Sequence, residues 1–563
     1  PPYPDPMNPD IHPLQWQQLR FMGGGMVADL QAAGKQGGVT GSMYRIWGQE
    51  GALTGRYHNI VGILTETASA RIASPDTVAL EALERGAAPG RGLGEYGFQI
   101  AFVDPWWGGE WTLGDIVDYQ IIAANSVLEQ TAKFSQHYIM GRWQMGSETI
   151  AKAEIEGPHA YVIPRDQADP IAAAEMVDKL ILQGVEVHES VGAFETIIAN
   201  GLWSSPGQND VSEDEEAAED TAEGDDVPDE DEDEQPTEDT SPEEGLRSFP
   251  PDSWIVYGAQ PGRAAVLDLL EPRRRRVQHE WPGGPFMRSY DGAAYTMPMQ
   301  MGVEITRTDN PFEADTRLAT SARVVAPPVP TANDWYAISA EVTRAYQAVN
   351  RMLEAGLSVF KAVSEDGPLF IVSASEPQSR SLLTEISNEI GVTVVADPPT
   401  LAMSAEQQAT RIGIYQGWAS SMDEGWTRLV LEDFDYDFET LMNDDVRQEG
   451  LSERLDVIII PSEIPLNRLI EGASDEDAPP GYRGGIGEEG VENLKEFVRN
   501  GGTLVTFEAA DALVLEHFDV PVRNALEDVS RSDLFLPASL LRIELDEDHP
   551  LTVGSPSEVA AKW

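Results

Sequence analysis

Between Asp210 and Glu244 the chain carries 20 acidic residues and no lysine or arginine. A stretch of that composition cannot bury enough apolar surface to offset the entropy of ordering it. Any fold must therefore carry it as a solvated, disordered insertion, placed here at 208–247. The whole sequence of 563 residues has 96 acidic and 38 basic residues, a net charge of -58. Subtracting the 20 acids of the run leaves 76 against 38, a diffuse -38 on the folded parts. Lysine is scarce, 7 against 31 arginines. Diffuse acidity with little lysine is what keeps a surface hydrated where salt screens repulsion. It matches proteins of salt-accumulating halophiles; an ordinary acidic secreted protein with an acidic loop is the alternative. Such a surface repels phosphate, which excludes nucleic-acid binding by general electrostatics and disfavours an anionic membrane.

There is no cysteine, so disulfides, thiolate metal sites and cysteine nucleophiles are excluded. No run of 18 apolar residues is present, so no transmembrane helix is expected. The opening PPYPDPMNPDIHP reads like the middle of a domain, and the closing SEVAAKW has no stop signal. Truncation at both ends is the expectation, and no signal peptide is in view.

Hydrophobic spacing organises the rest. Leu19, Met22, Met26, Leu30 and Ala33 predict a helix over 14–33. Gly23, Gly24 and Gly25 weaken it or let another backbone approach. IVGILT at 60–65 reads as a buried strand and 99–103 as another. Thr112 and Asp115 have capping-box spacing at the head of a long helix. AYVIP, then DPIAAAEMVDKLILQG, then Val185–Val187 predicts a βαβ unit with parallel pairing. WIVYGAQPGRAAVLDLLEP resumes strand and helix after the insertion. A helix around 341–354, a strand at 369–372 and a helix at 377–390 follow. RIGIYQ, GWTRLVLEDF, DVIIIP, GVENLKEFVRNGG and TLVTF alternate strand and helix, the pattern of a three-layer α/β unit. The expected division is 1–157, 158–405 and 406–563, α/β throughout.

The eight histidines, at 12, 58, 137, 159, 188, 279, 517 and 549, show no HxH, HxxxH or HxxE spacing. A local zinc clamp is absent and no metal ligand is assigned. GxSxG, GxxxxGK[ST] and a strand-linked GxGxxG are missing as well. Arg273–Arg276 read as a solvated turn, or as a docking site for the acidic run, rather than a nucleic-acid patch. The informative stretch is MYRIWGQEGALTGRYHNIVGILTETASAR, 43–71. It ends an apolar run on Glu66, the placement of an active-site base at a strand terminus. Tyr44 precedes it, followed by a glycine-containing loop suited to movement. A strand-end acid capping the next turn, with Tyr44 simply packed, accounts for the same pattern.

YHNIVGILTETASAR, with PPYPDPMNPDIHPL before it and VDPWWGGEWTLGDIVDYQ after it, resembles the zinc carboxypeptidase family, the carboxypeptidase A-like peptidases of large bacterial multidomain type. The similarity extends through AYVIPRDQADP and MPMQMGVEI. It implies that 1–157 is the C-terminal part of an α/β/α catalytic domain. It gives Glu66 the role of general base on a zinc-bound water, and Tyr44 that of a mobile, substrate-closing tyrosine. The His-x-x-Glu pair and later histidine of that family are expected upstream of Pro1. The implied activity is cleavage of C-terminal peptide bonds in peptide or protein substrates, with zinc as cofactor and an extracellular or periplasmic location. The C-terminal unit resembles the class I glutamine amidotransferase-like domains, a Rossmann-like three-layer fold. The cysteine nucleophile of that family is replaced after TLVTF by Glu508 and Ala509, which leaves a binding or scaffolding role. The competing readings are a non-catalytic peptidase-like binding protein and a zinc amidohydrolase acting on non-peptide substrates.

Overall fold

The computed structural model describes residues 7–41, 51–69, 73–86, 95–199, 244–272, 279, 284, 286, 296–365, 367–399, 402–418, 421–462, 464–472, 479–530, 533–536, 539–546, 549, 551–552 and 554–562. Two units divide the chain. One comprises 1–322, 531–547 and 556–563; the other comprises 323–530 and 548–555. Their border at 322/323 falls inside the expected middle region, and two stretches of the expected C-terminal domain belong with the first unit. Both units mix helices with sheets, so the α/β reading holds at that level.

The first unit opens with α1 (Pro13–Ala32), followed by a 3-10 turn (Gly51–His58), β1 (Asp76–Val78), α2 (Leu80–Gly86), β2 (Gly109–Trp111), α3 (Leu113–Lys133) and α4 (Ser135–Glu156). Helix α1 packs against α3 and α4. The expected capping box is present: Thr112 Oγ1 accepts from Asp115 N at 3.2 Å, and Asp115 Oδ2 accepts from Thr112 N at 3.1 Å. These bonds satisfy donors that the helix start leaves open. The glycines of α1 allow close approach rather than breaking it. A Cβ on Gly25 would lie 2.3 Å from Gln130 Nε2, and one on Gly141 of α4 would lie 2.3 Å from Gln18 Nε2.

Next come β3 (Ala160–Ile163), α5 (Pro170–Leu182), β4 (His188–Ser190), β5 (Phe194–Ala199), β6 (Glu244–Phe249), β7 (Trp254–Tyr257), α6 (Arg263–Leu270), α7 (Met297–Met301), β8 (Thr306–Thr308) and β9 (Thr316–Leu318). The sheet order is β8-β3-β7-β4-β9, antiparallel throughout. The expected parallel pairing of a βαβ unit is therefore corrected. Strands β3 and β4 run the same way, but β7 lies between them and hydrogen-bonds both. This is the split β-α-β order, ferredoxin-like in its first four strands. Val185–Val187, expected as the second strand, precedes β4 and forms no ladder. The acidic run emerges from the β5–β6 hairpin, whose terminal partners are Ala199 and Glu244. Residues 200–243 and Arg273–Arg276 lie outside the described residues. Strands β19 (Leu540–Glu544) and β20 (Glu558–Lys562) form an antiparallel pair, with β20 beside α7.

The second unit holds two sheets. An antiparallel one, β13-β10-β12-β11-β14, is built from β10 (Trp335–Ser339), β11 (Val359–Ser364), β12 (Gly367–Ser373), β13 (Val395–Ala396) and β14 (Ala402–Glu406). Helices α8 (Ala345–Glu354) and α9 (Ser379–Ile390) accompany it. The other, β16-β15-β17-β18, is parallel and uses β15 (Ile412–Tyr415), β16 (Phe438–Leu441), β17 (Val457–Ile460) and β18 (Thr503–Thr506). Between its strands lie α10 (Met422–Asp433), α11 (Asn443–Arg447), α12 (Leu451–Arg454), α13 (Leu466–Glu471) and α14 (Gly487–Arg499), with α15 (Asp511–His517) after β18. Alternating side chains build two cores. Ile458 and Ile460 pack with Val491, Leu494 and Phe497 of α14; Ile412, Ile414 and Ile459 pack with Leu431 of α10. Helices thus pack against both sets of side chains, which explains why these strands read as unbroken apolar runs.

Two consequences are testable. Ile458 is fully buried, so Ile458→Ala lowers the stability of this unit by about 3 kcal/mol in chemical denaturation. The Asp397 carboxyl is held at about 2 by the backbone N–H groups of Asn333, Asp334 and Trp335. A depressed folded-state value stabilises the unit above the ordinary 3.8, and that contribution is lost as pH falls from there through about 2. Asp397→Asn therefore lowers stability at neutral pH and flattens its acid decline across that window, measured by urea midpoints. Asp456, held at about 2 chiefly by Arg411, retains its own share of the decline.

Candidate functional site

The stretch carrying Glu66 is placed by α1 and by the 3-10 turn before it. His12 caps α1: its Nδ1 accepts from Leu14 N at 3.1 Å and its Nε2 donates to Glu148 Oε2 at 2.8 Å. Pro13 follows at the first helical position, where a missing N–H removes no bond. One turn on, the buried Gln15 donates through Nε2 to Ile60 O.

Residues 60–69 form no strand, which corrects the expected buried β-strand at 60–65. Side chains take the carbonyls that a ladder would otherwise bond. Besides Gln15, Arg56 reaches Gly62 O through Nε at 3.3 Å and Nη2 at 3.2 Å, and Trp111 Nε1 donates to Ala68 O at 2.9 Å. Arg56 is buried, with its guanidinium 5.3 Å from the Trp16 ring centroid. A buried backbone acceptor needs a partner of some kind, and here the partners are side chains. The segment is therefore held by side chains at Ile60, Gly62 and Ala68. Residues 99–103, also expected as a strand, contain only an isolated bridge between Gln99 and Phe102.

The Glu66 carboxylate is exposed and has no hydrogen bond or ion pair among the described residues. Tyr44 falls within 42–50, outside the described residues, so its distance from Glu66 is not part of this geometry. The tryptophans downstream gather into an aromatic cluster beside the stretch. Ring centroids lie 5.6 Å apart for Trp106 and Trp111, 5.4 Å for Trp111 and Tyr119, and 5.4 Å for Phe98 and Trp107. Tyr96 donates to Trp106 O, and Tyr119 donates to Gln36 O at 2.6 Å. Burial raises the Tyr119 hydroxyl above its ordinary value, while the hydrogen bond that Lys35 donates to Asp118 raises the Lys35 ammonium. Asp104 closes the far side, accepting from Gln31 Nε2 at 2.7 Å and Gln36 Nε2 at 3.0 Å.

The 3-10 turn also fastens this region to the split β-α-β sheet. Tyr57 donates to the buried Asp268 of α6, and Asn59 Nδ2 donates to Pro261 O at 3.0 Å. Arg263 Nη2 donates to Gly157 O. These bonds cross the boundary expected at 157/158, which is why both sides belong to one unit.

Among the described residues, no three His, Asp or Glu side chains gather where a metal ion could sit. The described residues do not by themselves make a zinc site. Three histidines of this region have other occupations: His12 caps α1, and His137 packs edge-on against Phe21 with ring centroids 6.3 Å apart. His159 lies against Tyr257 and Phe312, where burial lowers its pKa.

Arg56, Gln15 and Trp111 position the stretch and were not singled out from sequence. Their signal is faint, an arginine inside a glycine-containing loop and a tryptophan after Gly-Gly-Glu. No family model matches the sequence, and neither a curated protein nor a solved structure matches it.

Trp111 provides a direct check of the geometry. Trp111→Phe removes the indole N–H that holds Ala68 O while keeping an aromatic ring. Amide exchange across 60–69 is expected to accelerate about fivefold, as for loss of one hydrogen bond near 1 kcal/mol, with α1 and α3 unchanged.

Proposed function

We propose that this chain carries the glutamate-bearing part of a zinc-dependent metallocarboxypeptidase-like hydrolase acting on the C-terminal bonds of peptides. The observation that supports the reading most is the Glu66 stretch, whose sequence resembles that family and whose carboxylate is solvent-accessible on a segment held at both ends. On this reading 1–157 belongs to an α/β/α catalytic domain. The family resemblance, rather than the described residues, is what implies the zinc ligands of this reading. Glu66 acts as general base, taking a proton from the attacking water and returning it to the departing amine. Tyr44 closes over substrate. An extracellular or periplasmic location and peptide or protein substrates go with the same reading. The amidotransferase-like unit contributes binding rather than amide transfer, because the chain has no cysteine.

A second reading, a peptidase-like binding protein without catalysis, draws support from a different observation. Val117, Ile121 and Leu128 of α3 and Ile139, Met140 and Trp143 of α4 are exposed, a large apolar area of the kind that marks interaction surfaces.

The test assays the full-length gene product on peptides with free and amidated C-termini. Cleavage of the free peptides only is expected, with kcat in Glu66→Gln lower by about 10²–10⁴-fold and KM little changed. Wild-type turnover in Glu66→Gln removes the assigned role. Absence of cleavage in the wild-type protein favours the binding reading.

A further inference from the structure

The parallel sheet of the second unit reverses its strand order between β15 and β17, because β16 lies on one side of β15 and β17 on the other. In open α/β sheets, the crevice at such a reversal, beyond the carboxyl ends of the strands, is where ligands bind. The chemistry of this chain's side chains at that edge is specific. Ser462 follows β17 by two residues and is buried; its hydroxyl donates to Glu508 Oε2. Ser421, which caps α10, donates to Ser462 O at 3.1 Å and so ties the loop after β15 to the loop after β17. Trp418, in the same β15 loop, is half-exposed and lies against Tyr482 with ring centroids 5.2 Å apart.

Glu508 is the unusual member. It comes two residues after β18 with φ of 47°, a left-handed conformation that a glutamate rarely adopts. Strain of this kind persists where the surroundings over-determine it and is found repeatedly at ligand sites. It presents an exposed carboxylate at the strand end. Ser462 occupies only one of its oxygens, and among the described residues no lysine or arginine pairs with it.

We infer that this edge is a binding site for a small organic cation, a primary ammonium or guanidinium group carried on an apolar body. The free oxygen of Glu508 accepts from the cationic head, and the faces of Trp418 and Tyr482 receive the body. The chain's net charge of -58 draws cations toward the site and repels anionic ligands. The proposal is independent of the reading of Glu66, which lies in the other unit.

Benzylamine is a suitable probe, with benzyl alcohol as its neutral counterpart of equal shape and maltose as a sugar control. Calorimetric titration of the full chain is done in enough salt to screen diffuse attraction to the acidic surface. Saturable binding of one benzylamine per chain is expected, weakened about tenfold or more in Glu508→Gln by loss of a charge-assisted hydrogen bond. Benzyl alcohol binds the wild-type protein at least as weakly as benzylamine binds that variant. Trp418→Ala, an exposed change that leaves the fold intact, weakens benzylamine about threefold and keeps the test decisive should Glu508→Gln not fold. Non-saturable uptake, binding unaffected by both substitutions, or equal affinity for benzyl alcohol or maltose overturns the proposal.

Discussion

Several arginines among the described residues serve more than one acid. With 96 carboxylates and 38 cations, one-to-one pairing cannot neutralise the chain, and the planar guanidinium fork offers a way round the shortage. Arg307 bonds Glu271 and Asp309, while Arg351 bonds Asp435 and Glu389. Glu189 shows the converse, held between Arg165 and Arg317. These pairs sit where elements meet. Arg307 lies on an outer strand of the five-stranded sheet and reaches the end of α6; Arg351 joins α8 to α9 and to the turn after α10. A lysine carries its charge on a single nitrogen and lacks the rigid fork for two such partners. The arginine bias read first as a mark of saline surroundings is therefore also a packing requirement.

The parallel sheet was legible because it is buried on both faces. DVIIIP has no polar alternation, its neighbours end in glycine stops, and short connections leave little choice of partner. The split sheet was legible only in part. Local periodicity shows strand, helix, strand between 160 and 190, but pairing is a long-range property. The strand that separates β3 from β4 arrives only after the acidic run, so nothing near β3 or β4 announces it. Helix α4 escaped for another reason. Its buried positions are small or flexible residues, Gly141, Met145, Gly146 and Ala153, and its large apolar residues face outward, so the stripe that marks a helix is absent.

The candidate site divides in the same way. Glu66 was found as the polar end of an apolar run, and the structure leaves its carboxylate accessible. The run itself was misread, because β-branched residues predict a ladder only when a partner strand is at hand. Here the nearby Arg56 and the sequence-distant Gln15 and Trp111 replace the ladder one carbonyl at a time. A pattern of propensities cannot show bonds of that kind. At Glu508 the sequence shows a glutamate after a strand, while its backbone conformation belongs to the folded loop.

Ala199 and Glu244 face each other as the last partners of a two-stranded ribbon. Whatever joins them begins and ends one strand spacing apart, about 5 Å. The entropy of closing a loop grows only logarithmically with its length, so once closed at that ribbon the segment can lengthen or shorten with little effect on folding. Thr196 and Thr308 anchor the ribbon through their hydroxyls at 3.0 Å, well below its open end. A change of length at that point therefore leaves the register of the sheet beneath it unaltered.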